Sequence, residues 1–542
     1  MLTEAMARPS ELSFRPWWWA GCIALGLAGA HYALIKSMNH DVAYYVNAVG
    51  RLLDGARLYR DLIDVNVPTV YGVMALPVWL SRRLGIAPTL GFNVFVLICA
   101  ALSTWAVYRA ARRVMPDAGM LPDILAGVLL IGFLVMPGFD FGQREHLAAM
   151  ALAPYAVCRA GMRPYLPGRG FRAAVGILAG IGMALKPHLG LVVLGMELAL
   201  VLRRGWRSWR PGLETVVLAL TAGACAATTV LFLPEYRQQI VPLARAVYGG
   251  FEASFSRIVT WGQLEWLAAA AVALVVSSVL DRRIGDLTAI LVGGAVGGYA
   301  AFLEQSKGWH YQLLPTLIFS MSAFALALAG RVLRGSKGAR ASRILVGTTA
   351  IAAGLGLAAA VYSLMDDYRS DAKRREFFAS TVRVVRQYAE GGPALFISAD
   401  VDYTFPSVNY AGATYPYRWH HLLPLPGLYR TFAPGPDGRL FHTPEEMKSI
   451  EREFFESFID DALKYPPRIV LVDRRPGRRP GLSPDIDLFA YFCQSPRFAD
   501  LMRGYHWLGR RGFYDVLVPS SKLANPGPCG GPKPSFDSDA NS

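Results

Sequence analysis

Residues 17–41, WWWAGCIALGLAGAHYALIKSMNHD, run apolar from Trp17 to Lys36 and then turn polar at Asn39-His40-Asp41. The apolar part has the length of about 20 residues that an α-helix needs to cross a bilayer core. A signal-peptide reading fails, because no short apolar core is followed by an A-x-A cleavage site, so the stretch reads as a retained first span. Working outward, about eleven such stretches follow one another, near 17–36, 90–111, 120–137, 147–161, 171–186, 188–203, 213–234, 264–280, 286–303, 311–330 and 343–364. The sequence predicts a polytopic α-helical membrane protein.

Composition agrees. Over 542 residues, 53% are hydrophobic and 18% charged, with a mean hydropathy of +0.30. That is too apolar for a soluble chain and too charged for spans alone. The net charge of +15 does not indicate nucleic acid. Its Lys and Arg concentrate in alternate connections (Arg112 and Arg113; Arg203, Arg204, Arg207 and Arg210; Arg282 and Arg283; Arg331 to Arg343), the positive-inside pattern. With a cytoplasmic arm over 1–16, every Arg-rich connection falls inside. Loops 37–89, 138–146, 235–263 and 304–310 and the C-terminal region then fall outside. Cys22, Cys99, Cys158 and Cys225 lie in or beside spans as small packing residues, which leaves Cys493 and Cys529 for one disulfide.

Two outer segments read as interfacial. Residues 41–60 carry Val42, Tyr45, Val46, Val49, Leu52 and Leu53 as one helical stripe, which predicts an amphipathic helix on the outer leaflet. Val67 to Leu80, bounded by Pro68 and Arg82-Arg83, is too short to cross and reads as a re-entrant or interfacial helix, and 235–263 reads as another interfacial segment. After Met365 a charged helix leads into β-like runs at Ala394–Ser398, Ile469–Asp473 and Tyr514–Val518, a soluble extracytoplasmic α/β domain over 365–524. The Pro/Gly/Ser-rich tail 525–542 reads as disordered.

Ionisable side chains at membrane depth are costly and mark function. Asp41, Arg144, Glu145, Lys186, His188, Lys307 and His310 all fall at span ends on the same expected side. Asp41 can serve as a general base, or as the cap of the following helix, since Asp caps helices well. Arg144 has the planar donor fork suited to phosphate. Lys186-Pro187-His188 and Lys307-Gly308-Trp309-His310-Tyr311 interrupt apolar sequence and bring cations to that boundary, a pattern tolerated where it lines a cavity. No GxxxxGK[ST], HExxH, CxxC or GxSxG motif occurs.

The stretch from Asp41 through Tyr44-Tyr45, Leu52-Leu53-Asp54-Gly55 and Leu58-Tyr59-Arg60-Asp61 to Asp64 and Pro68 resembles the first outer loop of the GT-C glycosyltransferases. Within these it is most similar to the bacterial branch related to polyprenyl-phosphate-mannose protein mannosyltransferases and aminoarabinose transferases. Over residues 17 to about 330, the resemblance implies a sugar transferred from a polyprenyl-phosphate donor to an extracytoplasmic glycolipid, polysaccharide or protein. It implies Asp41 and Glu145 as catalytic carboxylates, and Arg144, Lys186, His188, Lys307 and His310 as the holders of the donor phosphate. His40, Tyr44, Tyr45, Asp64, Gln305, Trp309 and Tyr311 are further candidates. Val42 stands where the family often has a second acidic residue, which argues against a two-carboxylate metal site. No cofactor is required, leaving at most a weakly bound divalent cation. The partners are the lipid-linked donor, membrane lipids and the acceptor, with no nucleic acid. The rival class is a transporter or flippase, which would place discontinuous helices and charge near the bilayer midplane.

The charge bias generates a topology test. Alkaline phosphatase fused after Lys522 is expected to be active; an inactive fusion there, with an active cytoplasmic reporter at the same site, overturns the arrangement.

Overall fold

The computed structural model of the chain describes residues 9–261, 263–277, 280, 282–334, 339–402, 404–434, 438–475, 482–520 and 527–531. In chain order its longer helices are α1 (Pro9–Ile35), α2 (His40–Leu53), α3 (Pro68–Arg83), α4 (Pro88–Val114), α5 (Leu121–Leu134), α6 (Arg144–Ala160), α7 (Arg169–Ala184) and α8 (Gly190–Arg204). These are followed by α9 (Leu213–Phe232), the short α10 (Val241–Val247) and α11 (Phe255–Trp261), then α12 (Leu264–Ser277), α13 (Arg282–Gln305), α14 (Leu314–Arg334) and α15 (Ala339–Ala389). Each expected span falls on one of these helices. Among the described residues five segments are long and apolar enough to cross a membrane: Arg15–Ile35, Pro88–Val114, Leu213–Phe232, Arg282–Gln305 and His310–Leu333. The other apolar helices are shorter. Residues 1–8 of the expected arm over 1–16, and all of the expected tail over 525–542 except 527–531, lie outside the described residues, while 9–16 belong to α1.

Packing divides the chain differently from its order in sequence. One compact unit comprises Met1–Lys36, Leu90–Thr228 and Ala253–Asp371; the other comprises Ser37–Thr89, Thr229–Glu252 and Ala372–Ser542.

In the first unit the central pair is α8 with α13. A Cβ added to Gly195 would lie 2.1 Å from the Gly293 carbonyl oxygen, and one on Gly293 would lie 2.3 Å from that of Gly195. The two backbones therefore touch. Lipid tails supply no hydrophobic drive between helices, so close backbone approach through small residues supplies the packing energy instead. Leu76, Trp79, Leu80, Leu102, Trp105, Leu220 and Phe232 are exposed large apolar side chains of the two units, as surfaces facing acyl chains require.

The second unit holds a four-stranded sheet in the order β1-β2-β4-β3, built from β1 (Ala394–Ile397), β2 (Ile469–Asp473), β3 (Tyr505–Arg511) and β4 (Tyr514–Pro519). β1 pairs parallel with β2, Ala394 opposite Ile469; β4 runs antiparallel to both β2 and β3. All of β1 and β2 is buried, which is why those runs read as continuously apolar. Cys493 and Cys529 form a disulfide, while the four other cysteines are free thiols.

The segment after α1 corrects one expectation. α2 is amphipathic, but it ends at Leu53 and its stripe, Val42, Tyr45, Val46 and Val49, is covered by protein and not by lipid. α3 packs along it. Arg51 ties its end to the C-terminal region by donating to the carbonyls of Pro416 and Tyr417, at 2.7 Å each, and to that of Asp61 at 2.9 Å. Protein covers the stripe, and a sequence pattern cannot distinguish protein from lipid as the cover. The segment 235–252 likewise docks on the C-terminal region: Cβ atoms at Gly250 and Gly427 would strike the backbones of Pro426 and Val247 at 2.3 and 2.4 Å.

Gly293→Val should overpack the α8–α13 contact, at a cost of about 1–3 kcal/mol. A clear drop in thermal stability in detergent is expected; an unchanged melting curve would show that the two backbones do not touch.

Candidate functional site

The first unit gathers most of the charged residues singled out from the sequence. Gln143 precedes α6 and Arg144, Glu145 and His146 form its first turn, and all four are buried. α7 ends at Ala184, and Pro187 sets a single tight turn before α8 begins at Gly190. That break aims Lys186 at α6, where its Nζ donates to Glu145 Oε1 at 2.8 Å. The pair is deeply buried, at 14% and 1% side-chain exposure. Lys186 also lies 5.5 Å from the ring centre of Tyr311. His188 pairs with Glu304, and its electrostatic neighbours include Lys186, Lys307 and Glu145. Lys307 stands 4.8 Å over the Trp309 ring, and Trp309 packs on Tyr311 at 5.8 Å. Gln305 accepts from Gln312 at 2.8 Å and serves the turn between α13 and α14.

His310 belongs to a second cluster in the same unit. It faces Asp140 at 3.4 Å. Lys36, from the end of α1, donates to the Phe139 carbonyl at 3.1 Å. Asp367 of α15 covers Gly138, which has φ +48°; a Cβ there would meet Asp367 Oδ2 at 2.5 Å. Burial and the neighbouring Asp366 push the Asp367 carboxyl up to about 6, against the opposing pull of Lys36 and His310. Lys36, Asp140, Glu304 and Asp367 escaped the sequence reading. Asp366-Asp367 directly follows the last span, as Asp41 follows the first, and that symmetry was the available signal.

Asp41 lies in the second unit, in the first turn of α2. The cap is Asn39, whose side-chain oxygen accepts from the Asp41 backbone N–H at 3.0 Å. The capping alternative therefore falls, because Asn39 takes that role and the Asp41 carboxylate does not. His40 Nε2 lies 3.7 Å from Asp41 Oδ1, while Nδ1 pairs with Asp402. Burial alone would lower the His40 pKa, but Asp402, Asp41 and Asp400 outweigh it and raise it to about 9.

The remaining candidates of this unit contact other side chains of the same unit. Asp64, 1% exposed, accepts from Asn66 Nδ2 at 2.8 Å and from the Tyr71 hydroxyl. Tyr45 packs edge-on to Tyr71, and Tyr44 stacks on His420 with centroids 4.1 Å apart. Among the described residues, no group of three or more His, Cys, Asp or Glu side chains is placed to hold a metal ion.

The fold is that of a multi-pass GT-C membrane protein. Two solved structures carry the likeness, ArnT from Cupriavidus metallidurans bound to undecaprenyl phosphate and the same protein in the apo state. Both align at 12% identity with a TM-score of 0.54, over 95% and 96% of this chain and 99% of theirs. The arabinofuranosyltransferase AftD from Mycobacteria aligns at 13% identity and a TM-score of 0.42, over 94% of this chain and 40% of its own. No protein-family description and no curated protein matches the sequence. At such identity the likeness is one of fold.

Lys186→Met should leave the Glu145 carboxylate buried beside an apolar side chain. Breaking such a pair costs about 3–5 kcal/mol. The double variant Glu145→Gln/Lys186→Met should recover much of that stability, measured by thermal unfolding in detergent. Additive losses in the two single variants and the double variant would show that the pair does not hold the two helices together.

Proposed function

We propose that this chain is a membrane glycosyltransferase that moves a sugar from a polyprenyl-phosphate-linked donor to an acceptor outside the cytoplasm. The observation that carries the reading is the alignment of nearly the whole chain with a protein solved with undecaprenyl phosphate bound. The side-chain chemistry supports it: a carboxylate that does not cap its helix, and a set of lysines, histidines and an arginine at helix ends.

The reaction is a single inverting displacement. The acceptor hydroxyl oxygen forms a bond to the anomeric carbon, the bond from that carbon to the phosphate oxygen breaks, and Asp41 takes the hydroxyl proton. The electron pair leaves with the polyprenyl phosphate. Lys307, His310, His188, Lys186 and Arg144 stabilise the negative charge that grows there. Glu145 serves this set by holding Lys186 in place. These fixed cations do the work a divalent ion does elsewhere, so activity should survive chelation.

The unit that contains Asp41 also contains the Cys493–Cys529 disulfide. Disulfides persist in oxidising compartments, which supports placing this unit on the outer face of an inner membrane, with the N-terminus cytoplasmic.

Radiolabelled transfer from a purified polyprenyl-phosphate sugar in detergent tests the reading, and a transporter would give none. Asp41→Asn keeps the size and hydrogen bonding of the side chain but removes its basicity, so kcat should drop about 10²- to 10⁴-fold with insertion intact. Activity within a few-fold of wild type would remove Asp41 from the mechanism.

A further inference from the structure

The imidazole of His40 lies between two carboxylates, one on each ring nitrogen. Nδ1 pairs with Asp402, and Nε2 faces Asp41 Oδ1 at 3.7 Å. Asp402 comes from the turn after β1, more than three hundred residues further along the chain, yet it sits in the same compact unit as His40 and Asp41. That turn is itself braced. Ser398 Oγ donates to Asp473 Oδ2 at 2.8 Å and accepts from the Asp400 backbone N–H at 3.0 Å, and Asp400 Oδ1 accepts from the Asp402 backbone N–H at 2.9 Å.

α2 is held against the same region at two further points. Met38 N–H donates to the Tyr410 hydroxyl at 2.9 Å, and Asn409 Nδ2 donates to the Ala43 carbonyl at 3.1 Å. The backbone on both sides of His40 is therefore tied to the C-terminal region.

We infer that Asp402 is a positioning residue for Asp41, acting through the His40 ring. The inference rests on the glycosyl-transfer reading, which makes Asp41 the base.

A neutral imidazole carries no charge and balances neither carboxylate; the protonated ring is a cation that pairs with Asp402 and attracts Asp41 across 3.7 Å. The charged groups facing His40 are Asp402, Asp41 and Asp400, all acidic, and together they hold it protonated up to about pH 9. Removing the Asp402 charge takes away the largest of the three supports. The ring then loses its proton nearer its ordinary value of about 6.5, and the Asp41 carboxylate loses the fixed cation beside it.

The test uses the full-length protein with Asp402→Asn and Asp402→Glu. Diethyl pyrocarbonate acylates neutral imidazole, and peptide mass spectrometry locates the adduct. At pH 7.5 His40 should be protected in wild type and in Asp402→Glu, and acylated in Asp402→Asn. In transfer assays kcat of Asp402→Asn should fall about tenfold between pH 6.5 and 8.5, where that of wild type is level, and the donor KM should not follow. Asp402→Glu should restore the wild-type profile. Equal acylation of His40 in wild type and Asp402→Asn overturns the inference, as does a kcat profile of Asp402→Asn parallel to that of wild type. Should wild type transfer no sugar at all, the transferase reading fails, and the acylation pattern still decides whether Asp402 holds His40.

Discussion

A charge drawn to the edge of a bilayer persists only with a counter-charge beside it, and this constraint organises the first unit. At the Arg-rich helix ends, Arg159 grips Glu197 at 2.7 Å, Arg172 grips Glu214 at 2.6 Å, Arg204 holds Asp286 at 2.8 Å and Arg15 holds Asp123 at 2.8 Å. Each carboxylate is mostly or wholly buried and would be expensive to leave alone. The clusters around Glu145 and Asp140 obey the same rule with different residues, for there lysine and histidine replace arginine. Arginine never gives up its proton, whereas lysine and histidine respond to their surroundings. The first set of pairs fastens helices, and the second is built from groups whose charge responds to what lies beside them.

Much of the architecture was legible because lipid leaves few choices. Every backbone polar group at that depth must be satisfied within its own segment, so a long apolar run means a helix, and each expected run lies on one. β1, β2 and β4 were legible for a related reason, being short, mostly apolar and bounded by turn residues, with a single aspartate each in β2 and β4. β3 was not, because its Gly509-Arg510-Arg511 end and half-exposed edge position break the alternation. The covering of α2 was invisible for another reason: lipid and protein demand the same stripe.

At the candidate site the sequence marked residue types but not their pairing. Lys186 and His188 stood out together, yet they turn to different carboxylates, Glu145 and Glu304. Asp41 stood out by position, but whether it capped the helix depended on a single hydrogen bond from its own N–H to Asn39. Asp402 carried no local mark, since its meaning comes from a partner distant in sequence. Ion pairs between remote segments are the property that periodicity and spacing do not encode.

The Cys493–Cys529 bond encloses β3 and β4 in a covalent ring, because one sulfur precedes the hairpin and the other follows it. In the chain-entropy picture, closing a loop of this size limits the unfolded chain by about 4 kcal/mol. The ring has a further consequence for resistance to proteolysis. A single cut between the two cysteines leaves both fragments joined, so the hairpin cannot be peeled from β2 by one cleavage and the nicked protein can close again around the same sheet.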